Sequence, residues 1–494
     1  MRNTKGVGSN KALYTLLGAA LIVLLWAAAG WAFGADIIPP PWLTVYDTLS
    51  LLLRPSSWLQ LAITVARVIA GFVLALVVGT VAGVATARRE VEALLSPAVL
   101  LLQGVPPILW TIPLILILGF SRLTPVLVIA LICLPLVTLN VSEGTKSVSR
   151  SLREMLSVFA PGFLPRLREL ILPHLKPFFA AALRLGLTLG IKASVVAEYF
   201  SANDGIGFQI QAAYQAFQVR RLFAWALMLV LLIVLFDRIL SASVQALQKV
   251  RPGGPARLPE AFSPMELQRL QQLQEQKRVG FAGSRPAAVE VEGVSFGYPG
   301  AEPVLEECTF SVAPGQIAVI SGDSGVGKST LLKLIASLLV PDSGRILRPE
   351  GVGFVFQDDR FLPWRSILAN VSLTLRHRGI PRHRASRISA SLLKEVGLGG
   401  RELAAPEELS GGMKKRLALA RCFAAAPEVV LMDEPFSGLH RSARAALWSK
   451  LGELLRLRTA ATIIVTHYPE EVPDQLRCIF FTLTGNPARL QMCS

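Results

Sequence analysis

The chain has 494 residues, enough for two or three domains, and 52% of them are apolar against only 17% charged, which excludes an ordinary soluble protein. The formal charge is +16. Residues 1–250 hold 20 Lys and Arg against 10 Asp and Glu, set between apolar stretches as the flanks of membrane spans are, so the charge does not point to nucleic acid.

A span needs roughly 20 apolar residues. Six stretches qualify: Leu13–Phe33, Leu59–Ala87, Ala93–Phe120, Thr124–Asn140, Phe178–Phe200 and Leu222–Leu247. The first has a long apolar run and no clear Ala-x-Ala-like site at its end, so it reads as an anchor and not as a signal peptide. With both chain ends cytoplasmic, Arg2, Lys5, Lys11, Arg88, Arg89, Lys146, Arg150, Arg153, Arg166, Arg168 and Lys176 share one side, and Arg54, Arg122, Arg220 and Arg221 take the other. Pro106, Pro107 and Pro113 in the third stretch demand a broken helix, which membranes tolerate only against protein or a water-filled cavity. The fifth stretch carries Arg184, Lys192 and Glu198, ionisable groups that mark a pathway or a partner. Cys133, Cys308, Cys422, Cys478 and Cys493 show no paired spacing, so neither a metal site nor a disulfide framework is indicated.

Residues 251–287 read as a linker, with a short helix opened by Ser263-Pro264-Met265-Glu266 as N-cap, first-turn Pro and capping-box Glu. From Ala288 the composition is that of an α/β domain. Strands are expected near Val289–Val294, Gln316–Ile320, Gly353–Phe356, Val429–Met432 and Thr462–Val465.

After the second of these strands comes Ser321-Gly322-Asp323-Ser324-Gly325-Val326-Gly327-Lys328-Ser329-Thr330, followed by a helical run from Leu331 to Leu339. Gly-x4-Gly-Lys-Ser between strand and helix is a phosphate-binding loop. Its glycines turn backbone N–H groups inward and the helix start adds its dipole; Lys328 reaches the β- and γ-phosphates and Ser329 a Mg²⁺ ion. Roughly one hundred residues on, the apolar strand Val429–Met432 delivers Asp433, suited to Mg²⁺ through water, and Glu434, suited to polarise the attacking water. Leu409-Ser410-Gly411-Gly412-Met413 opens another helix and makes a second anion site. A second phosphate-type site beside the first implies a nucleotide shared between two chains.

With these motifs in order, residues 288–494 resemble the nucleotide-binding domain of an ATP-binding cassette transporter. The resemblance implies that Tyr298 stacks on adenine, that Gln357 after Phe354-Val355-Phe356 senses Mg²⁺ and the membrane domain, and that His467 contacts the γ-phosphate. It further implies that Ser410, Gly411 and Gly412 contact the nucleotide of the opposite protomer. Two positions depart from the family pattern: Met413 stands where Gln is usual, and His440 of Ser437-Gly438-Leu439-His440 stands where Asp is usual.

The membrane half is similar to bacterial importer permeases. Between the fourth and fifth stretches, Glu154-Met155-Leu156, Ala160 and Leu170-Ile171-Leu172-Pro173 partly match the coupling-loop motif, keeping Glu154, Leu172 and Pro173. Arg67-Val68 with Gly71-Phe72, Ala197-Glu198 with Gly205-Ile206-Gly207, Phe361-Leu362-Pro363-Trp364 and Gly485-Asn486-Pro487-Ala488-Arg489 resemble the nitrate/sulfonate/bicarbonate (taurine-type) importers.

The expected fold is an α-helical membrane domain over 1–250, with six transmembrane helices of the type I importer kind and a coupling loop at 143–177. The linker 251–287 and an α/β P-loop ATPase over 288–494 follow. The resemblance implies ATP and Mg²⁺ as cofactors, and a homodimer in the bacterial cytoplasmic membrane with both termini and the ATPase cytoplasmic. A separate extracytoplasmic solute-binding protein, a small-molecule solute and membrane lipid are the implied partners, with no nucleic acid. A half-size exporter and a membrane-anchored nucleotide-dependent regulator are the rival readings.

Overall fold

The computed structural model describes residues 5–249, 288–456 and 460–492; the expected linker 251–287 and its helix lie outside them. The chain divides into two compact units. One is formed by Met1–Ser147 with His174–Lys249, and the other by Val148–Pro173 with the described part of Val250–Ser494.

The first unit is helical. Its elements are α1 (Lys5–Phe33), α2 (Pro41–Leu52), α3 (Pro55–Ala85), α4 (Arg89–Gly104), α5 (Pro107–Leu118) and α6 (Leu123–Lys146). After α7 (Arg150–Phe159), which packs in the second unit, come α8 (Lys176–Ser201), α9 (Ile206–Gln215) and α10 (Val219–Lys249). Among the described residues five helices are long and apolar enough to cross a membrane, and α4 with α5 would make a sixth as a pair bent by 99°. The break has a local cause. Pro107 opens α5, and Val105, which precedes Pro106, is driven into extended backbone at φ −86°, ψ 123°. The short helices α2 and α9 stand between spans where only connections were expected.

Small residues decide how the spans meet. On α3, a Cβ at Gly79 or Gly83 would stand 2.9 or 2.7 Å from the side chains of Val137 and Val141 on α6. Close backbone approach of this kind is how helices associate in lipid, where lipid tails offer no hydrophobic drive toward association.

In the second unit lie β1 (Val289–Gly297), β2 (Pro303–Val312), β3 (Ile317–Ser321), α11 (Lys328–Ile335), β4 (Ser343–Leu347), β5 (Val352–Val355), α12 (Ile367–His377) and α13 (Arg382–Glu395). They are followed by α14 (Gly411–Ala424), β6 (Val429–Asp433), α15 (Arg441–Arg456), β7 (Ala461–Val465), β8 (Cys478–Gly485) and β9 (Ala488–Met492). The strands form one sheet in the order β4-β1-β2-β9-β8-β3-β7-β6-β5. From β8 to β5 all pairings are parallel. Every residue of β5, β6 and β7 is buried, because a parallel sheet is covered on both faces and so needs continuous apolar strands. Parallel register also brings the C-terminal ends of β3, β5, β6 and β7 to one edge, with Ile320 and Asp433 both opposite Val465 and Val355 opposite Met432. The loop at each of those ends carries a motif residue.

The helix after the phosphate loop is shorter than its apolar run. It stops at Ile335 because Ser337 takes left-handed backbone at φ +56°, and Pro341 follows. Val148–Pro173, within the expected coupling loop, is packed into the second unit. The reason is the apolar face of α7: Met155, Leu156 and Phe159, with Leu170 beyond it, are buried in one cluster with Phe354, Phe356 and Leu362. Each such side chain removed from water contributes about 1.5–3 kcal/mol.

Candidate functional site

Lys328 is the first residue of α11, and its side chain turns back into the loop that precedes it. The Nζ donates to the carbonyls of Gly322 and Asp323, both at 2.7 Å. The loop passes through Gly322 at φ +146° and Gly327 at φ +110°, backbone that only glycine adopts without strain. Burial pushes the Lys328 ammonium below its ordinary range, against the pull of Glu434, Asp433 and Asp323. The first-turn N–H groups of α11 have no intrahelical acceptor. Lys328 and those donors therefore form a cradle for an anion, with Ser324, Gly325, Val326, Ser329 and Thr330 around it.

Ser329 Oγ donates to Asp433 Oδ1 at 3.0 Å, across from the end of β6. Burial raises the Asp433 carboxyl, and the Ser329 hydrogen bond opposes that. A hydroxyl and a carboxylate are hard oxygen donors of the kind Mg²⁺ takes. Among the described residues no group of three or more His, Cys, Asp and Glu is arranged to hold a metal.

Glu434 is the strained residue of the site, at φ +44°. Its backbone N–H donates to Val465 O at 2.9 Å, which holds the strand end in place. Its carboxylate receives Gln357 Nε2 at 3.2 Å and lies 2.9 Å from His467 Nε2. Left-handed backbone at a non-glycine residue persists only where surroundings over-determine it, and such residues cluster at functional sites. Thus Lys328, Ser329, Gln357, Asp433, Glu434 and His467, drawn from four strand ends, meet in one place.

Tyr298 follows β1. Its hydroxyl is 3.3 Å from Thr330 Oγ1 and its ring packs edge-on to Phe296 at 5.0 Å, leaving about a third of the residue open beside the phosphate loop. Ser410 is the N-cap of α14, with extended backbone, and its carbonyl accepts from Lys414 N at 2.9 Å. Ser410 and Gly411 are exposed, and among the described residues no hydrogen bond ties Ser410, Gly411 or Gly412 to the phosphate loop.

Glu154 and Trp364 lie in motifs of the sequence, but several of their partners were not legible beforehand. Arg360 Nη1 donates to Glu154 Oε2 of α7 at 2.8 Å, with Lys333 3.8 Å away. Trp364 Nε1 donates to Glu169 O at 3.2 Å, and Arg365 pairs with the Glu169 carboxylate. Lys415 and Arg421 of α14 reach the carbonyls of Gln357 and Arg360. Arg444 Nη1 donates to Leu439 O at 2.8 Å and its Nη2 pairs with Glu471 at 2.6 Å, joining the loop after Glu434 to the loop after His467. The available signal was a cation inside an apolar helix face, as in Leu417-Ala418-Leu419-Ala420-Arg421-Cys422-Phe423.

Two family models match the chain: ABC transporter over residues 305–437, and binding-protein-dependent transport system inner membrane component over residues 71–249. The aliphatic sulfonates import ATP-binding protein SsuB 2 of Rhodococcus jostii is 41% identical over 189 residues, which are 38% of this chain and 75% of that protein. The taurine import ATP-binding protein TauB of Pseudomonas putida is 39% identical over 214 residues, 41% of this chain and 81% of that one. Among solved structures, cbiO1 from Clostridium perfringens, part of the ABC transporter complex cbiONQ, is 25% identical with a TM-score of 0.38, over 42% of this chain and 88% of that one.

Proposed function

The chain belongs to the ABC transporter family, with permease and ATPase in one polypeptide that couples ATP hydrolysis to import, and we propose that it carries a small anionic solute of the sulfonate kind. The observation that carries the reading is the pairing of a complete hydrolytic cluster with α7, a segment continuous with two spans, buried in the core of the same unit. The import names of the relatives support the direction and the solute class. A thiamine-precursor-like solute is the next choice.

The geometry supports a role for each of these residues. Lys328 and the loop N–H groups hold the β- and γ-phosphates of ATP. Ser329 and Asp433, with Gln357, would hold Mg²⁺, which when bound neutralises charge on the phosphate oxygens. Glu434 orients and polarises the attacking water, and His467 keeps that carboxylate aimed while reaching the γ-phosphate. Tyr298 offers its ring to the adenine. That no hydrogen bond ties Ser410, Gly411 or Gly412 to the phosphate loop among the described residues supports two copies sandwiching two nucleotides. The Lys and Arg distribution supports an inner-membrane protein with both termini and the ATPase in the cytoplasm, served by a separate extracytoplasmic binding protein.

Reconstitution with the ATPase outside tests this. A candidate extracytoplasmic binding protein is sealed inside the vesicles with radiolabelled taurine. ATP turnover is expected to rise with the loaded binding protein, and label to leave toward the ATPase side. In parallel vesicles with the label outside, accumulation inside would identify an exporter, and turnover without movement in either arrangement a regulator.

A further inference from the structure

Helix α14 begins at the exposed Ser410–Gly412 end and runs beneath the loop that starts at Gln357. Two buried cations tie it there. Lys415, 8% exposed, donates from Nζ to Gln357 O at 2.7 Å. Arg421, 2% exposed, donates from Nη1 to Arg360 O. The Arg421 guanidinium also lies between two rings, 4.6 Å from Phe159 and 4.7 Å from Phe361. Phe159 is the last residue of α7 and is itself buried.

This placement is costly for stability alone. No carboxylate pairs with Arg421 among the described residues, its Nε has no hydrogen-bond partner, and burial pushes its guanidinium down to about 9. Among the described residues this charge has no ion pair and is held by one carbonyl, the faces of two rings and the more distant Asp359 carboxylate, and an apolar side chain would fill the same space more stably. What the arginine adds is a directional link. Its rigid fork fixes three things together: the end of α7, the backbone at Arg360, and α14. Arg360 in turn gives its own side chain to Glu154 of α7 at 2.8 Å.

We propose that Arg421 is a positioning residue that passes the position of α7 to the Ser410–Gly412 end of α14, with Phe159 as the group it reads and Lys415 as the second tie. The inference rests on the import reading above. Under it, α7 addresses two ATP sites at once. It reaches its own site through Arg360 and the Gln357 loop, and the partner's site through α14, whose 14 residues form a rod of about 21 Å. Glu434 and Lys328 then hydrolyse ATP only when α14 of the opposite copy is set.

The test uses the full chain in lipid vesicles and reads basal ATP hydrolysis. Phe159→Leu keeps apolar bulk and removes the ring; Phe159→Tyr keeps the ring. The leucine variant is expected to lose about five-fold or more in kcat with KM for ATP unchanged, since α14 acts on the closed pair and not on first binding. Its unfolding temperature is expected to fall by only a few degrees, too little to account for the kcat loss, and the tyrosine variant to turn over within about two-fold of wild type. Lys415→Met, which cuts the other tie and leaves Phe159 alone, is expected to repeat the kcat loss at constant KM. Normal turnover in both Phe159→Leu and Lys415→Met overturns the proposal. So does loss of kcat that tracks loss of thermal stability in both, because that is packing and not positioning. Failure of the import reading shows differently, as wild-type turnover that never responds to a loaded binding protein.

Discussion

Arg67 on α3 donates from Nη1 to Glu198 Oε1 on α8 at 3.1 Å, with both side chains almost fully buried. Around that contact, Glu198 also accepts Thr64 Oγ1 at 2.9 Å and the backbone N–H of Gly207 at 3.0 Å, and Arg67 donates to Asp204 O at 3.0 Å and pairs with its carboxylate. A Cβ on Gly207 would stand 2.6 Å from the Cβ of Glu198. Two sequence motifs more than 100 residues apart, Arg67 with Gly71 and Glu198 with Gly205-Ile206-Gly207, are thus one physical object that fixes α9 at the end of α8.

Glu198→Ala leaves the Arg67 guanidinium buried with Asp204 as its one remaining ion-pair partner among the described residues. Removing one partner of a buried pair costs about 3–5 kcal/mol. Thermal unfolding of the full chain in detergent is expected to fall by several degrees. An unchanged melting temperature would show that the network does not hold α9.

Glu434→Gln keeps the shape of the site and the contact range of Gln357 and His467 but removes the carboxylate that orients water. ATP binding is expected to persist while turnover falls about a thousand-fold, close to 4 kcal/mol of barrier. Nucleotide-binding and phosphate-release assays on one preparation check both. Wild-type turnover would remove Glu434 from the mechanism.

Mixed dimers address the shared site. Chains carrying Lys328→Ala and chains carrying Ser410→Arg are each expected to be inactive, because each lesion damages both composite sites of its own dimer. Verified heterodimers contain one intact site, and partial hydrolysis is expected on mixing. Full activity in either parent would sink the sandwich.

The Glu154 carboxyl gives the attachment of α7 a pH signature. Burial alone would raise its pKa, but the Arg360 hydrogen bond and the charges of Lys333, Arg360 and Arg150 outweigh it and hold the group below the ordinary 4.5. A depressed folded pKa contributes stability that is present above 4.5 and is lost as pH falls through the folded value. Stability is therefore expected to drop in acid below that point. Glu154→Gln should lose about 1–3 kcal/mol at neutral pH and show a flatter acid limb, read by denaturant unfolding at several pH values. An identical acid limb in both proteins would refute the assignment.

Of Arg184, Lys192 and Glu198 on α8, Arg184 is paired with Asp237 at 2.7 Å and Glu198 with Arg67. Lys192 is exposed and no ion pair with it is found among the described residues. Unpaired charge in a span faces a cavity or a partner. Lys192→Met is expected to depress uptake several-fold with basal hydrolysis and membrane insertion intact. Uptake at the normal rate would return Lys192 to a snorkelling role.

The sequence by itself determined whatever depends on contiguous residues. Hydropathy adds along some twenty neighbours, so the spans from Leu13–Phe33 to Leu222–Leu247 were legible, as was the break at Pro106-Pro107. The phosphate loop and the Asp433-Glu434 strand end were legible for the same reason, since backbone geometry there is set by local glycines and apolar runs. Tertiary structure alone decided the rest. Helices α2 and α9 are too short to announce themselves by periodicity, and β2, β4, β8 and β9, outside the five expected strands, became strands by pairing. No local pattern joins Arg67 to Glu198, Arg421 to Phe159, or Glu154 to Arg360. Those contacts exist because parallel strands end on one edge and because the apolar face of α7 finds its burial beside Phe354 and Phe356, far along the chain.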